Sequence, residues 1–192
     1  MNQLEYVELA KSKDKTRFNL CDVYRAKDRF IATDGHRMHW FISTPIAEPF
    51  FISGEKGLEF PDYSAVLPSA EPLVSIEVHS LDLISKHLKA LLALAKASDK
   101  MPCVTLTFKD NKLTFTHTNR AGVLGVVEHQ TIEQAGSFEC SYRLDYLLDA
   151  LALGLEKRGS VPTIEFRGES AALIVCYNNH DVCGLVMPCR LK

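Results

Sequence analysis

The fold assignment rests on the stretch Ala32-Thr33-Asp34-Gly35-His36-Arg37-Met38. Its Asp-Gly pair lies between two apolar runs, Phe30–Ala32 and Met38–Ile42, and this arrangement predicts a tight β-hairpin. Thr33, His36 and Arg37 flank the pair, and we expect the turn to need none of them for its geometry. A polar hairpin tip is the plain explanation for these three residues. The alternative is that they serve a binding site, and the rest of the chain favours it.

Composition sets limits on the class of protein. The chain has 192 residues, of which 46% are hydrophobic, so we expect a filled core rather than disorder. Lys and Arg number 22 against 24 Asp and Glu, for a net charge of −2. This balance argues against a protein held on nucleic acid mainly by a positive surface, and it leaves local basic patches open.

The cysteines and the N-terminus indicate a reduced, cytoplasmic protein. The six cysteines form no Cys-x-x-Cys pair and no zinc-module spacing, so we expect neither a metal nor another cofactor. The N-terminal residues Met1–Glu5 lack a signal-peptide pattern. No apolar run approaches the roughly 18 residues that a membrane span requires, so no membrane association is expected.

From about Leu73 onward the chain contains a repeat of the order β-α-β-β-β. The first unit is predicted to begin with a strand over Val74–His79 and a helix over Leu81–Ala97 that Ser80 caps. Three further strands are predicted over Cys103–Phe108, Lys112–Thr118 and Val123–Thr131. The second unit is predicted to begin with a strand over Phe138–Cys140 and a helix from 142 to about Lys157, capped by Ser141 and ended by Gly159. Three further strands are predicted over Thr163–Arg167, Ala171–Tyr177 and Val182–Met187. Two such units can place both helices on one face, so we expect one α+β domain over 71–192.

The first seventy residues are predicted as a separate, mostly β segment. No helix is expected, and the predicted strands are Tyr6–Ala10, Arg17–Tyr24, Arg29–Ala32 and Met38–Ser43. A sheet without a helix leaves an apolar face bare. This segment is therefore expected to pack on the C-terminal domain or on another chain.

Three motifs in this chain resemble those of bacterial sliding clamps, the beta subunits of DNA polymerase III. The 32–38 stretch is similar to that family's Ala-Thr-Asp-Gly-His-Arg-Leu hairpin, and Phe60–Pro68 resembles the connector between its middle and last domains. Leu185–Leu191 is similar to its Val-Met-Pro-Met-Arg-Leu terminus, and Tyr142–Leu151 resembles a helix that lines its ring. The resemblance implies an α+β DNA-clamp fold, with a partial middle domain over 1–70 and a complete last domain over 71–192.

The resemblance also implies a groove that accepts short peptides from DNA polymerase, the clamp loader or repair proteins. Carried over position by position, its lining is Phe18, Thr33, Gly35, His36, Arg37, Met38, Pro61, Val66, Leu185, Val186, Met187, Pro188, Cys189 and Arg190. Arg37 and Arg190 are expected to bond peptide carbonyls or an acidic group. Ordinary core packing for Met187 and a solvated terminal charge for Arg190 are the alternatives. Ala65 and Cys189 depart from the family's Arg and Met.

The first domain of the family and about half of the middle domain have no counterpart here, so we expect a cut-down clamp. As a homo-oligomer it would close a ring on double-stranded DNA and act as a polymerase processivity factor; as a monomer it would act as a decoy or modulator of a full clamp. The residues that would face DNA are Lys86, Lys89, Lys96, Arg143, Lys157 and Arg158. A solvated helix surface explains them equally well.

An enzyme is the competing class. Thr33, Asp34, His36 and His39 form one imaginable acid–base or metal cluster, and His180-Asp181 a second. Neither has a nucleophile–base pattern or a metal-ligand motif. The sequence therefore favours a binding protein without catalytic residues.

Overall fold

The structure, a computed structural model, describes residues 1–54, 58–67, 69, 71–97, 99–119, 122–130, 136–156, 161–168 and 170–189. The first part of the chain contains α1 (Gln3–Glu8), a 3₁₀ turn (Phe18–Leu20), β1 (Tyr24–Arg25), β2 (Arg29–Thr33), β3 (Arg37–Ile42), β4 (Phe50–Phe51) and a second 3₁₀ turn (Ser64–Val66). The remainder contains β5 (Val74–Glu77), α2 (Leu81–Lys96), β6 (Cys103–Lys109), β7 (Lys112–Asn119), β8 (Gly122–Gln130), β9 (Phe138–Arg143), α3 (Leu144–Glu156), β10 (Thr163–Phe166), β11 (Leu173–Tyr177) and β12 (Val182–Val186).

The β-α-β-β-β repeat is confirmed, and the two units exchange their first strands. One sheet has the order β8-β7-β6-β9, so the first strand of the second unit joins the sheet of the first unit. In the same way β5, the first strand of the first unit, joins the sheet of the second unit by pairing with β10. The helices α2 and α3 contact each other, and residues from both helices and both sheets share one apolar core. The exchange makes the two units a single packed body.

Two hairpin turns of the repeat have left-handed backbone angles. Asp110 and Asn111 join β6 to β7 with φ of 51° and 60°, as a two-residue hairpin turn requires. Asn178, Asn179 and His180 join β11 to β12 with φ of 49°, 54° and 73°. Three consecutive left-handed residues are unusual outside glycine.

Ser80 takes the N-cap position predicted for it, whereas the predicted Ser141 cap is wrong. Ser80 does precede α2, but its side chain makes no capping hydrogen bond. Ser141 lies inside β9, and α3 begins three residues later at Leu144. The Ser141 hydroxyl pairs instead with Thr105 Oγ1 across the β6–β9 ladder, at 2.8 Å. The expected helix end at Gly159 lies outside the described residues.

The expectation of no helix before Phe18 is also wrong. Asn2 caps α1 by accepting from the Glu5 amide at 2.9 Å, and Glu5 accepts from the Asn2 amide at 2.7 Å. Tyr6 and Val7 of this helix are fully buried, and Tyr6 Oη donates to Ala150 O of α3 at 2.9 Å. The predicted strand over Tyr6–Ala10 is therefore a helix docked on α3. The predicted strand over Arg17–Tyr24 is replaced by the first 3₁₀ turn and the short β1.

The N-terminal segment packs on the C-terminal repeat, as expected, through a shared sheet. β4, β1, β2 and β3 continue into β12, β11, β10 and β5 to give eight strands. At the junction Arg37 of β3 pairs with Val186 of β12, and Trp40 pairs with Cys183. Within the described ranges, no helix has the length and apolar character to cross a membrane.

Candidate peptide-binding surface

The tip of the β2–β3 hairpin is held by its own side chains. Gly35 has a φ of +88°, which explains the glycine. Thr33 Oγ1 accepts from the Gly35 amide at 3.0 Å and donates to Arg37 O at 2.6 Å. Asp34 Oδ1 accepts from the amides of His36 and Arg37, at 2.9 and 3.1 Å. Thr33 and Asp34 thus stabilise the turn, which corrects the expectation that Thr33 was not needed for it.

The Arg37 side chain is fully engaged inside the protein. Its guanidinium bonds Asp34 Oδ2 at 3.1 Å, pairs with the Asp149 carboxylate of α3 and lies 4.4 Å from the centroid of the Tyr146 ring. Only 6% of the side chain is exposed. A buried guanidinium with two carboxylate partners is costly to release. The Arg37 guanidinium is thus committed to partners within the protein, and the predicted bond to a peptide would require their release.

Burial also perturbs the acids beside Arg37. It raises the pKa of Asp149, and the Arg37 charge opposes that rise. Burial likewise raises the pKa of Tyr146 to about 12. The Tyr146 ring lies against a second guanidinium as well, because Arg143 Cζ lies 3.9 Å from its centroid. This cluster fixes the hairpin tip to α3.

The connector, residues 58–67, covers part of the sheet. Phe60, Tyr63 and Leu67 pack on a buried cluster that includes Met38 and Leu185. Phe60 stacks on Tyr24 with the ring centroids 4.8 Å apart. Met38 and Leu185 therefore form a floor beneath the connector, while Val186 faces the main core on the other side of β12.

Hydrogen bonds join the hairpin tip to the first 3₁₀ turn and to the segment after β12, and join the connector to that 3₁₀ turn. Together these four segments form the surface that we call the tip surface. Arg17, at the start of the first 3₁₀ turn, donates to Asp34 O at 2.6 Å. Asn19 donates to Glu59 O of the connector at 3.1 Å. The Met187 amide donates to His36 O at 2.9 Å, which ties the segment after β12 to the same tip.

The predicted groove residues differ in how far they reach this surface. Phe18, Val66 and Met187 are 57%, 46% and 37% exposed. The remaining positions that are at least partly accessible are Thr33, Gly35, His36, Pro61, Pro188 and Cys189. Met38, Leu185 and Val186 are buried, and Arg190 lies outside the described residues.

Cys189 is held at the far end of the tip surface. Its amide donates to Ser141 O at 2.7 Å, and Pro188 bridges to Tyr142 of β9. A hydrogen bond with the Cys103 thiol lowers the pKa of the Cys189 thiol. This contact fixes the position at which the clamp motif has a methionine.

A cleft of about 850 Å³ lies on the helix side of the hairpin tip, and it is distinct from the connector side. Among the predicted DNA-facing residues, Lys89, Lys96 and Arg143 line it. Arg143 is paired with Asp145 at 2.5 Å, and Asp34 and Asp149 add acidic groups to the wall. Lys86 is exposed on α2, whereas Lys157 and Arg158 lie outside the described residues. The cleft therefore carries both signs of charge.

Comparisons with known proteins identify the fold. Neither a scan against protein-family models nor a search of curated proteins finds a match. Among solved structures, the DNA polymerase III beta subunit of Thermotoga maritima matches with a TM-score of 0.81 and 18% identity, over 99% of this chain and 63% of that chain. The Borrelia burgdorferi beta subunit, solved in complex with a natural product, matches with a TM-score of 0.81 and 19% identity, over 98% of this chain and 61% of that chain. The Bartonella birtlesii sliding clamp, bound to griselimycin, matches with a TM-score of 0.80 and 18% identity, over 98% of this chain and 63% of that chain.

The chain therefore has the α+β sliding-clamp fold, and the resemblance drawn from its motifs is confirmed at the level of the fold. It spans less than two thirds of the length of each of these three clamps. The fold accounts for the exchanged strands and for the two adjacent helices.

Proposed function

We propose that this protein is a sliding-clamp-like binding protein that docks a short peptide on the tip surface. The observation that carries the proposal is the linkage of four segments, far apart in sequence, by hydrogen bonds around the tip of the β2–β3 hairpin. Three of those segments carry the clamp motifs. The peptide sources that the fold suggests are DNA polymerase, the clamp loader and repair proteins.

The chemistry of the tip surface suits a peptide with apolar anchors. Phe18, Val66 and Met187 offer exposed apolar side chains around a buried floor. Methionine adapts its shape to different ligands, which suits a shared docking site. His36 is exposed, so its ring is accessible to a polar group of the peptide. Arg37 takes no direct part, and its role is to hold the tip in place.

Fluorescence anisotropy with a labelled peptide that carries the clamp-binding motif of a bacterial DNA polymerase tests the proposal. Binding at micromolar to submillimolar concentration is expected. Met187→Ser and Val66→Ser each remove an exposed apolar contact and should weaken binding about tenfold, or 1.4 kcal/mol. Leu83→Ser is the matched control, because Leu83 is exposed on α2 and belongs to none of the four segments.

Two outcomes would defeat the docking proposal. One is no binding with the peptide near 1 mM, which corresponds to a free energy weaker than about −4 kcal/mol. The other is equal weakening by Leu83→Ser and Met187→Ser. Circular dichroism of each variant separates a lost contact from a lost fold.

A ring-forming processivity factor is the second candidate, and the open edge of β8 favours it. β8 occupies the position in the first unit that β12 occupies in the second, and β12 continues into β3. Within the described part of the chain β8 pairs only with β7, and Val123 and Val126 are exposed on it. An unpaired strand edge with apolar side chains favours association with another strand.

Solution mass by light scattering separates the two candidates. A closed oligomer that remains on circular DNA and slides off linear DNA supports the ring, and Val126→Lys should then lower the mass to that of a monomer. A monomer that binds the peptide and competes with a full-length clamp supports the decoy or modulator. In either case Lys86, Lys89 and Lys96 on α2 are the residues for a test of DNA contact.

A further inference from the structure

A second group of side chains lies at the opposite end of the β3–β12 ladder. Cys176 at the end of β11, His180 in the turn and Cys183 in β12 each offer a ligand atom, and these atoms lie within 4.8 Å of one another. The two sulfur atoms are 3.0 Å apart. The sequence spacing is Cys-x₃-His-x₂-Cys, which differs from the zinc-module spacings.

The register of the hairpin produces this grouping. Cys176 and Cys183 are direct cross-strand partners, so both side chains leave the same face of the sheet. The three left-handed residues of the turn then bring His180 to the thiols. A left-handed backbone at three successive non-glycine positions is uncommon, and here it serves to place the imidazole ring.

Glu165 on the neighbouring strand β10 provides an independent observation. Its side chain is only 4% exposed, and its Oε1 lies 3.2 Å from Nε2 of His180. Its Oε2 accepts from Arg167 at 2.6 Å, so its charge is already balanced. In zinc sites a ligating histidine usually donates its second ring nitrogen to a carboxylate, which fixes the ring. Glu165 is in position for that role.

We propose that Cys176, Cys183 and His180 bind one Zn²⁺ ion, with Glu165 orienting the imidazole. This site goes beyond peptide docking and does not depend on it. Two thiolates and one imidazole are ligands that zinc prefers, and water completes the tetrahedron. Zn²⁺ displaces one proton from each thiol, so the two thiolates neutralise the ion. Ideal Zn–S bonds would set the sulfur atoms about 3.8 Å apart, a small opening from the present distance.

The surroundings favour retention of the ion. Both thiols lie in a buried cluster with Trp40 and Ile174, and this cluster excludes water from the sulfur side. The His180 side chain is 58% exposed and gives the ion access from solvent. Trp40, the single tryptophan of the chain, is the cross-strand partner of Cys183 and can report on the site.

Titration of the reduced, chelator-treated protein with Zn²⁺ and with Co²⁺ tests the site. One ion per chain is expected, with two protons released, a thiolate-to-cobalt charge-transfer band and quenching of Trp40 by Co²⁺. Cys176→Ser combined with Cys183→Ser should lower the affinity at least 100-fold. Glu165→Gln should weaken it 10- to 100-fold. Cys21→Ser with Cys103→Ser is the matched pair of control changes and should leave the binding unchanged.

His180→Ala keeps the test decisive if the double serine variant does not fold. His180 is in an exposed turn, so its replacement removes a ligand without opening the core, and the affinity should fall at least 100-fold. Absence of the charge-transfer band in the reduced wild-type protein would overturn the proposal. Undiminished binding by a folded His180→Ala or double serine variant would overturn it as well.

Discussion

The β2–β3 and β11–β12 hairpins meet side by side in one sheet, yet their tips are stabilised by different means. The β2–β3 tip is closed by hydrogen bonds from Thr33 and Asp34 and by the buried Arg37 ion pairs. The β11–β12 tip has three left-handed residues and a group of two thiols and an imidazole. Because β3 and β12 are antiparallel, the two tips lie at opposite ends of their ladder.

The difference indicates two kinds of tip. At the β2–β3 tip the charged side chains are already paired with one another, so this tip serves as a fixed edge for the tip surface. At the β11–β12 tip the two thiols and the imidazole are available as ligands, and a bound metal ion would use all three. Loss of a charged side chain should therefore lower stability most at the β2–β3 tip, whereas a metal ion should raise stability only through the β11–β12 tip.

The largest effect is expected from loss of the Arg37 charge. Arg37→Met removes the partner of two carboxylates, Asp34 and Asp149, and Asp34 is largely buried. Breaking a buried pair costs about 3 kcal/mol, even with allowance for the partial exposure of Asp149. Urea denaturation monitored by Trp40 fluorescence measures the change. Lys11→Met, which breaks an exposed pair with Glu8, is the control and should cost at most about 0.5 kcal/mol. Equal costs for the two variants would show that the β2–β3 tip is not held by its charges.

Zinc should stabilise the wild-type protein through the β11–β12 tip alone. With free Zn²⁺ at 100 times its measured Kd, the free energy of unfolding should rise by about 2.7 kcal/mol. The increase should be absent from His180→Ala and retained in Arg37→Met. Thermal unfolding under reducing conditions, with and without the ion, gives the comparison. A zinc-dependent increase in His180→Ala would place the metal elsewhere.

His39, between the two tips in the β3–β12 ladder, should make stability depend on pH. Burial lowers its pKa to about 4, and its ring stacks on Tyr6 with Nδ1 2.9 Å from Tyr6 O. The unfolded chain takes up the proton at about pH 6.5, before the folded chain does, so the stabilisation present above that pH is lost as the pH falls toward 4. The loss between pH 7.5 and pH 5 should be about 2 kcal/mol.

Urea denaturation of the wild type and of His39→Asn at both pH values isolates the contribution of His39 to the pH-dependent loss of stability. The asparagine variant should show a smaller pH-dependent loss, because it has no buried imidazole to protonate. His36→Asn, at an exposed position, should retain the wild-type difference. An unchanged loss in His39→Asn would assign the pH dependence to other groups.

Periodicity was sufficient to predict the repeat, because each of its helices and strands is long enough to show a pattern. The apolar residues of α2 and α3 recur at helical spacing, and Asp110-Asn111 is a local turn signal. The six-residue α1 is too short to show a helical pattern, and its apolar residues instead predict a strand over Tyr6–Ala10. Asn2 and Glu5, which form the capping box, carried the missed signal.

The candidate site was only partly predictable, because side-chain accessibility depends on packing between distant segments. The motifs indicated which segments meet, but Met38 and Leu185 are covered by the connector and Arg37 is bound by α3. The Cys176–Cys183 pair was missed for a related reason. Its ligand geometry follows from the hairpin register rather than from spacing along the chain.

The smallest expected effects come from single backbone changes at the two tips, and they compare the tips most directly. Gly35→Ala places a side chain at a φ of +88°, where its Cβ would meet Arg17 Nη2 at 2.7 Å. The flexible arginine can move, so the cost is mainly the left-handed backbone, about 1–2 kcal/mol. Asn179→Gly relieves a left-handed residue but adds freedom to the unfolded chain, so the net change should lie within about 0.5 kcal/mol. Urea denaturation of both variants measures the two costs. A larger cost at Asn179 would mean that its side chain, rather than the backbone alone, holds the β11–β12 tip in shape for His180.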